Sequence, residues 1–124
     1  MKKVVVTDKA PGAIGPYSQG INVGDMFFFS GQIPVNPVTG DMPEGIEAQV
    51  KQSLDNVKAL LESQGMDFSN VIKTTVFLAD MNDFATMNGI YATYFVEPYP
   101  ARSAVQVAKL PKGALIEVEV IAHK

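Results

Sequence analysis

The chain contains no cysteine, no tryptophan, a single histidine and a single arginine among its 124 residues. Without cysteine it forms no disulfide, thiol nucleophile or iron–sulfur cluster. With His123 as its only histidine it cannot assemble an ordinary Cys/His zinc site within one chain. A Ser-His-Asp triad would depend on that same histidine beside the C-terminus, so neither a metal nor such a triad is expected. Basic charge is thin as well. Ten basic residues face thirteen acids, for a net charge of −3, and all the basic residues but Arg102 are lysines. Nucleic-acid binding needs a concentrated basic footprint, so this balance argues against RNA or DNA as a partner. Long apolar runs are missing too. Val4–Val6, behind two lysines, falls short of the roughly 7–15 residues of a secretory core, and no run approaches the ~20 residues of a membrane span. The expectation is a soluble cytoplasmic protein without a membrane partner.

What is present reads as one domain over residues 1–124. At 13.4 kDa such a chain buries roughly two-thirds of its unfolded surface, and no linker, repeat or low-complexity stretch divides it. Short β-branched or aromatic runs predict strands over residues 2–6, 19–23 and 26–30, with Gly24-Asp25 as a two-residue hairpin turn. Prolines and glycines make residues 10–17 and 34–45 irregular. Ile46, Val50, Leu54, Val57 and Leu61 recur at helical spacing and predict a helix over 46–64, which Gly65 terminates. Residues 71–79 form a strand whose continuous apolar character predicts burial on both faces. Asp80 or Asn82 caps a second helix carrying Phe84, Met87, Tyr91, Tyr94 and Phe95. Two strands, 102–108 and 115–122, close the chain around a turn at residues 110–113.

Strands, helix, strand, helix, strands is the order of an α+β domain with a mixed sheet and both helices on one face. The other face then presents apolar side chains to water, and self-association covers it.

Three groups of residues could carry chemistry. On a strand, Arg102 shares a side with Ala104, Gln106 and Ala108, and small alanines leave space above a planar fork suited to a carboxylate. The alternative is a surface arginine paired with an acidic neighbour. Glu117 and Glu119 lie two apart, on one face with Leu115 and Ile121. Desolvation of either would raise its pKa toward neutrality, whereas pairing with lysines would leave both ordinary. Tyr17, Ser30 and Gly31 leave strands or loops through glycine, where backbone N–H groups can turn toward a small ligand. Residues 12–15, GAIG, lack the lysine and spacing of a phosphate loop.

Taken together, APGAIGPYSQG, FFFSGQIPVNPVTG, QSLDNVKALLESQG, VIKTTVFLADMNDFATMNGIYATYF and PYPARSAVQVAKLPKGALIEVEVIA run in the order and spacing of the Rid/YjgF family. The resemblance spans almost the whole chain and is nearest to the RidA subgroup, the 2-iminobutanoate/2-iminopropanoate deaminases. It implies a chorismate-mutase-like α+β fold and a homotrimer with a central barrel, its sites lying between subunits without metal or cofactor. Carried over by position, Arg102 matches the arginine that clamps the substrate carboxylate, and Glu117, rather than Glu119, the carboxylate near water and imine. Tyr17, Ser30, Gly31 and Asn88 match other pocket positions, with Tyr17 expected from a subunit adjoining the one that supplies Arg102. Ala104 stands where many members have cysteine, so thiol-dependent regulation is not available there.

The resemblance implies hydrolysis of reactive enamines and 2-imino acids, the products of pyridoxal-phosphate-dependent serine and threonine dehydratases, to 2-keto acids and ammonia. Family members have also been linked to RNA cleavage, chaperone-like protection and simple binding of keto acids. Here the acidic balance weighs against the first, and the missing cysteine against a thiol-switched form of the second. A non-catalytic keto-acid binder uses the same clamp and stands as the alternative.

Overall fold

The computed structural model describes residues 1–124. Six strands form one sheet: β1 (Lys3–Val5), β2 (Gly20–Val23), β3 (Met26–Phe29), β4 (Val71–Leu78), β5 (Ala101–Gln106) and β6 (Ile116–His123), in the order β1-β2-β3-β6-β4-β5. All neighbours are antiparallel except β4 and β5. The hairpin between β2 and β3 turns at Gly24, whose φ of 58° is the left-handed conformation such a turn requires. Two helices, α1 (Ile46–Ser63) and α2 (Phe84–Tyr94), cover one face, as the element order predicts. Gly65 follows α1 at φ 71° and ends it.

The core lies between the helices and that face. Val50, Leu54, Val57 and Leu61 of α1 pack with Val76, Leu78, Ile116, Val118 and Val120 of the central strands. Each such side chain contributes roughly 1.5–3 kcal/mol on burial, so the stripe on α1 is structural. Asp80 accepts a hydrogen bond from the Asn82 N–H, capping a short 3₁₀ turn (Met81–Asp83) that leads into α2.

The other face is open, and here one expectation is corrected. Along β4 only Val71, Thr74, Val76 and Leu78 are buried. Lys73, Thr75 and Phe77 are half-buried, and Ile72 is exposed. Both helices sit on one side, so neither covers the second. Across that outer face the register aligns Val4, Ile21, Phe28 and Ile121 in one row, Glu119, Thr75 and Ser103 in the next, and Glu117, Phe77 and Val105 in a third.

Candidate active site

β3 pairs with β6 as far as Phe28 opposite Ile121, and the chain touches β6 again at Gln32 opposite Val118. Four steps along the first strand thus span three along the second. The extra residue is a bulge at Ser30–Gly31, which lifts the chain off the start of β6. Under this bulge lies Glu117. A Cβ added to Gly31 would overlap the Glu117 carboxylate, so any other residue here has to push that carboxylate aside.

The Glu117 carboxyl is held above the ordinary value for glutamate, first by burial and then by the charge of Glu119 on the same face. No lysine neutralises either acid. Lys73, on the same face, spends its ammonium on the Thr74 carbonyl (3.0 Å) and the Thr75 hydroxyl (3.3 Å). Of the two carboxylates, Glu119 is exposed, and Glu117 is the one that enters a cleft.

That cleft, of about 710 Å³, brings together Tyr17, Ser30, Gly31 and Glu117, with Lys112 at its rim. Ser30 Oγ donates to the Ser18 carbonyl at 2.6 Å, which leaves its lone pairs to accept from a bound group. Tyr17 is 53% exposed, and its phenol oxygen accepts from the Ile14 N–H at 3.4 Å. Lys112 has φ 58°, a left-handed turn position seldom taken by a β-carbon residue.

Buried amides that sequence reading passed over hold this cleft in shape. Gln19 Oε1 accepts from the Thr7 N–H at 2.7 Å, while its Nε2 donates to the carbonyls of Thr7 (2.9 Å) and Pro11 (2.8 Å). Gln32 Nε2 donates to the Ser30 carbonyl at 3.0 Å, and Asn56 Nδ2 to that of Val35 at 2.9 Å. Each binds loop backbone that has no strand partner, which is how a buried polar group avoids its desolvation cost. Gln49 and Asn56 lie seven apart on α1 and flank its apolar stripe. That spacing is the signal that could have marked them as inward-facing.

Arg102 stands elsewhere. Its parallel partner on β4 is Thr74, which is fully buried, so Arg102 belongs to the helix-covered face and Glu117 to the outer one. The space beside the guanidinium is taken by α2. The guanidinium carbon lies 4.9 Å from the Tyr91 ring centroid and 5.4 Å from that of Phe84, and Nη1 donates to Asn88 Oδ1 at 2.6 Å. Phe84, Asn88 and Tyr91 are spaced by four and three and so share one face of α2. The same spacing is in the sequence, where these rings read as core alone. A shallow cleft of about 440 Å³ opens on Arg102 between Asn88, Tyr91, Ala92, Tyr99 and Pro100. Ala104 is half-buried against the core and lines neither cleft.

The proposed residues therefore fall into two halves, Tyr17, Ser30, Gly31 and Glu117 in one, Asn88 and Arg102 in the other. An arginine whose hydrogen-bond partner is a neutral amide suits an anion. A carboxyl with a raised pKa and no hydrogen bond to lower it suits proton transfer.

A family model described as Endoribonuclease L-PSP matches residues 7–124. The chain is 54% identical to the 2-iminobutanoate/2-iminopropanoate deaminase of Escherichia coli K12 over 125 residues, covering 98% of each. Among solved structures it is similar to Escherichia coli TdcF with bound serine, at 50% identity, TM-score 0.94 and 98% of each chain. It is also similar to a Rid-family protein of Yersinia pestis, at 48% identity, TM-score 0.97 and 100% of each chain. With its full length matched in sequence and in fold, the chain belongs to the Rid/YjgF family.

Proposed function

We propose that the protein is a hydrolytic deaminase of small 2-imino acids, converting 2-iminopropanoate and 2-iminobutanoate, or their enamine precursors, to 2-keto acids and ammonia. The observation that carries this reading is the 54% identity, over 98% of both chains, to a relative bearing that activity in its name. The geometry supports the roles. Arg102 offers a planar edge of N–H donors to the substrate carboxylate. Water adds to the imine carbon, and the C=N electron pair moves to nitrogen. Glu117 takes a proton from the water and returns one to nitrogen, for which a pKa raised toward neutrality is suited. In the resulting carbinolamine Glu117 takes the hydroxyl proton and passes a second one to nitrogen, the C–N bond breaks with its electron pair leaving on ammonia, and the oxygen lone pair closes the carbonyl. Ser30 and the Gly31 bulge would hold the water or the tetrahedral centre.

A substrate of this size does not reach both Arg102 and Glu117 on one chain, since they occupy separate clefts on opposite faces of the sheet. The uncovered outer face supports a homotrimer closed around a central barrel, with Arg102 and Asn88 of one subunit meeting Tyr17, Ser30, Gly31 and Glu117 of the next. The supply reaction would be a pyridoxal-phosphate-dependent serine or threonine dehydratase. No helix is long and apolar enough to cross a membrane, and the setting we infer is the cytoplasm.

The test is a dehydratase-coupled assay. The protein should speed appearance of the 2-keto acid while sparing a trapping nucleophile. Arg102→Lys should lower kcat/KM by about 10²-fold, because lysine lacks the fork; near-normal turnover would overturn the clamp role. Glu117→Ala separates enzyme from binder: a pure binder keeps its affinity for 2-oxobutanoate and has no rate to lose. Light scattering should give about 40 kDa, three times the chain mass.

A further inference from the structure

We propose that Tyr91, fixed from below by Thr74, is a positioning residue for Arg102: an aromatic platform that holds the guanidinium edge-on to an incoming carboxylate. This rests on the reading that Arg102 is the carboxylate clamp, and it names what makes that clamp rigid.

Arg102 is exposed on β5, the edge strand of the sheet, where a long side chain ordinarily samples many rotamers. Three contacts remove that freedom. The Tyr91 and Phe84 rings lie against the guanidinium, at 4.9 and 5.4 Å from its carbon, and Asn88 Oδ1 takes Nη1 at 2.6 Å. With its central carbon over the rings and Nη1 on Asn88, the fork keeps its remaining N–H groups for an anion. None of the three partners is a carboxylate, so an incoming carboxylate displaces no internal counter-ion.

The platform is itself tied to the core. Tyr91 is buried, with its hydroxyl 2.9 Å from Thr74 Oγ1, and its ring stacks on Phe95 at 4.2 Å. Thr74 is the residue opposite Arg102 in the β4–β5 register. One position on β4 thus fixes both the strand that carries the arginine and the ring beneath it. Burial holds the Tyr91 phenol above its ordinary pKa, against the smaller opposing effects of Thr74 and Arg102, so the ring beside the guanidinium stays neutral.

The test is competitive inhibition by 2-oxobutanoate, with light scattering and thermal melting as checks on assembly. Tyr91→Leu, which removes the ring, should raise Ki about 5- to 30-fold, the range of a partly desolvated cation–π contact, and raise KM more than it lowers kcat. Tyr91→Phe, which keeps the ring, should stay within about 3-fold of wild type. In an Arg102→Ala background Tyr91→Leu should change Ki no further, because the platform acts only through the guanidinium. A folded Tyr91→Leu protein with wild-type Ki, or an equal loss with and without Arg102, overturns the platform while leaving the clamp standing. An unchanged Ki in Arg102→Ala alone overturns the clamp. Should Tyr91→Leu fail to fold, Phe84→Leu, at the half-buried second ring, carries the same comparison with an expected rise of about 3-fold, and no rise overturns the platform.

Discussion

Arg102 and Glu117 are each kept free of an internal counter-ion, by opposite physical means. The arginine is exposed and would be mobile, and aromatic faces and a neutral amide order it without cancelling its charge. The glutamate is half-buried and would be ionised in water, and burial and Glu119 hold it toward the neutral form. One half of the site conserves a charge by immobilising it; the other makes a charge reversible by withdrawing it from water. The first suits binding and the second suits proton exchange, which is the division of labour that hydrolysis of an anionic imine demands.

The strongest way to break this comparison is to separate its halves on different chains. Arg102→Ala and Glu117→Ala proteins should each be nearly inactive. Unfolded together and refolded as a mixture, they should recover about a quarter of wild-type turnover, because random assembly pairs an intact arginine with an intact glutamate at one interface in four. No recovery in mixed assemblies would show that each site is drawn from one chain.

A large but smaller effect is expected at the bulge. Gly31→Ala places a methyl group where the Glu117 carboxylate lies. It should lower kcat by about 10- to 100-fold through displacement of the proposed proton-transfer group, with little change in the Ki of 2-oxobutanoate, whose binding we assign to the Arg102 half. An equal loss in both parameters would mean that the halves are not independent.

The smallest effect sharpens the acid half. Glu119→Gln removes a negative neighbour, so the Glu117 carboxyl should ionise more readily. The acid-side inflection of kcat/KM should move to lower pH while the plateau is kept. Burial, the larger cause, is untouched, so the inflection should stay above that of an ordinary glutamate. A pH profile identical to wild type would remove Glu119 from the account.

Much of this was legible in the sequence, where period and punctuation report local structure. The α1 stripe, the Gly24 and Gly65 turns and the placement of both helices on one face follow from spacing and composition. The family motifs named six residues that the fold gathers into the two clefts. What stayed hidden depended on register. Alternation along β5 put Arg102 beside alanines, but only the pairing of Thr74 with Arg102 shows that this side faces α2, where Tyr91 and Phe84 fill the space. The exposed outer face of β4 was hidden for a related reason, since apolar residues in a strand do not say whether their cover comes from the same chain. Gln19 and Asn56 were missed because a glutamine or asparagine is ordinarily at the surface. What buries these two is loop backbone distant in sequence.

The connection between β4 and β5 has a consequence for how the two halves come into being. Parallel neighbours require a crossover, and that crossover is α2, so Thr74, Phe84, Asn88, Tyr91 and Arg102 all lie within one continuous stretch of fewer than 30 residues. The acid half joins residues 17–31 to residues 112–117, so it closes a loop spanning most of the chain. Loop-closure entropy rises with the length enclosed, and contacts between chain ends come at the slow end of folding. The Arg102 half is thus a local structure and the Glu117 half a global one, and the Glu117 cleft is complete only once segments far apart in the sequence have met.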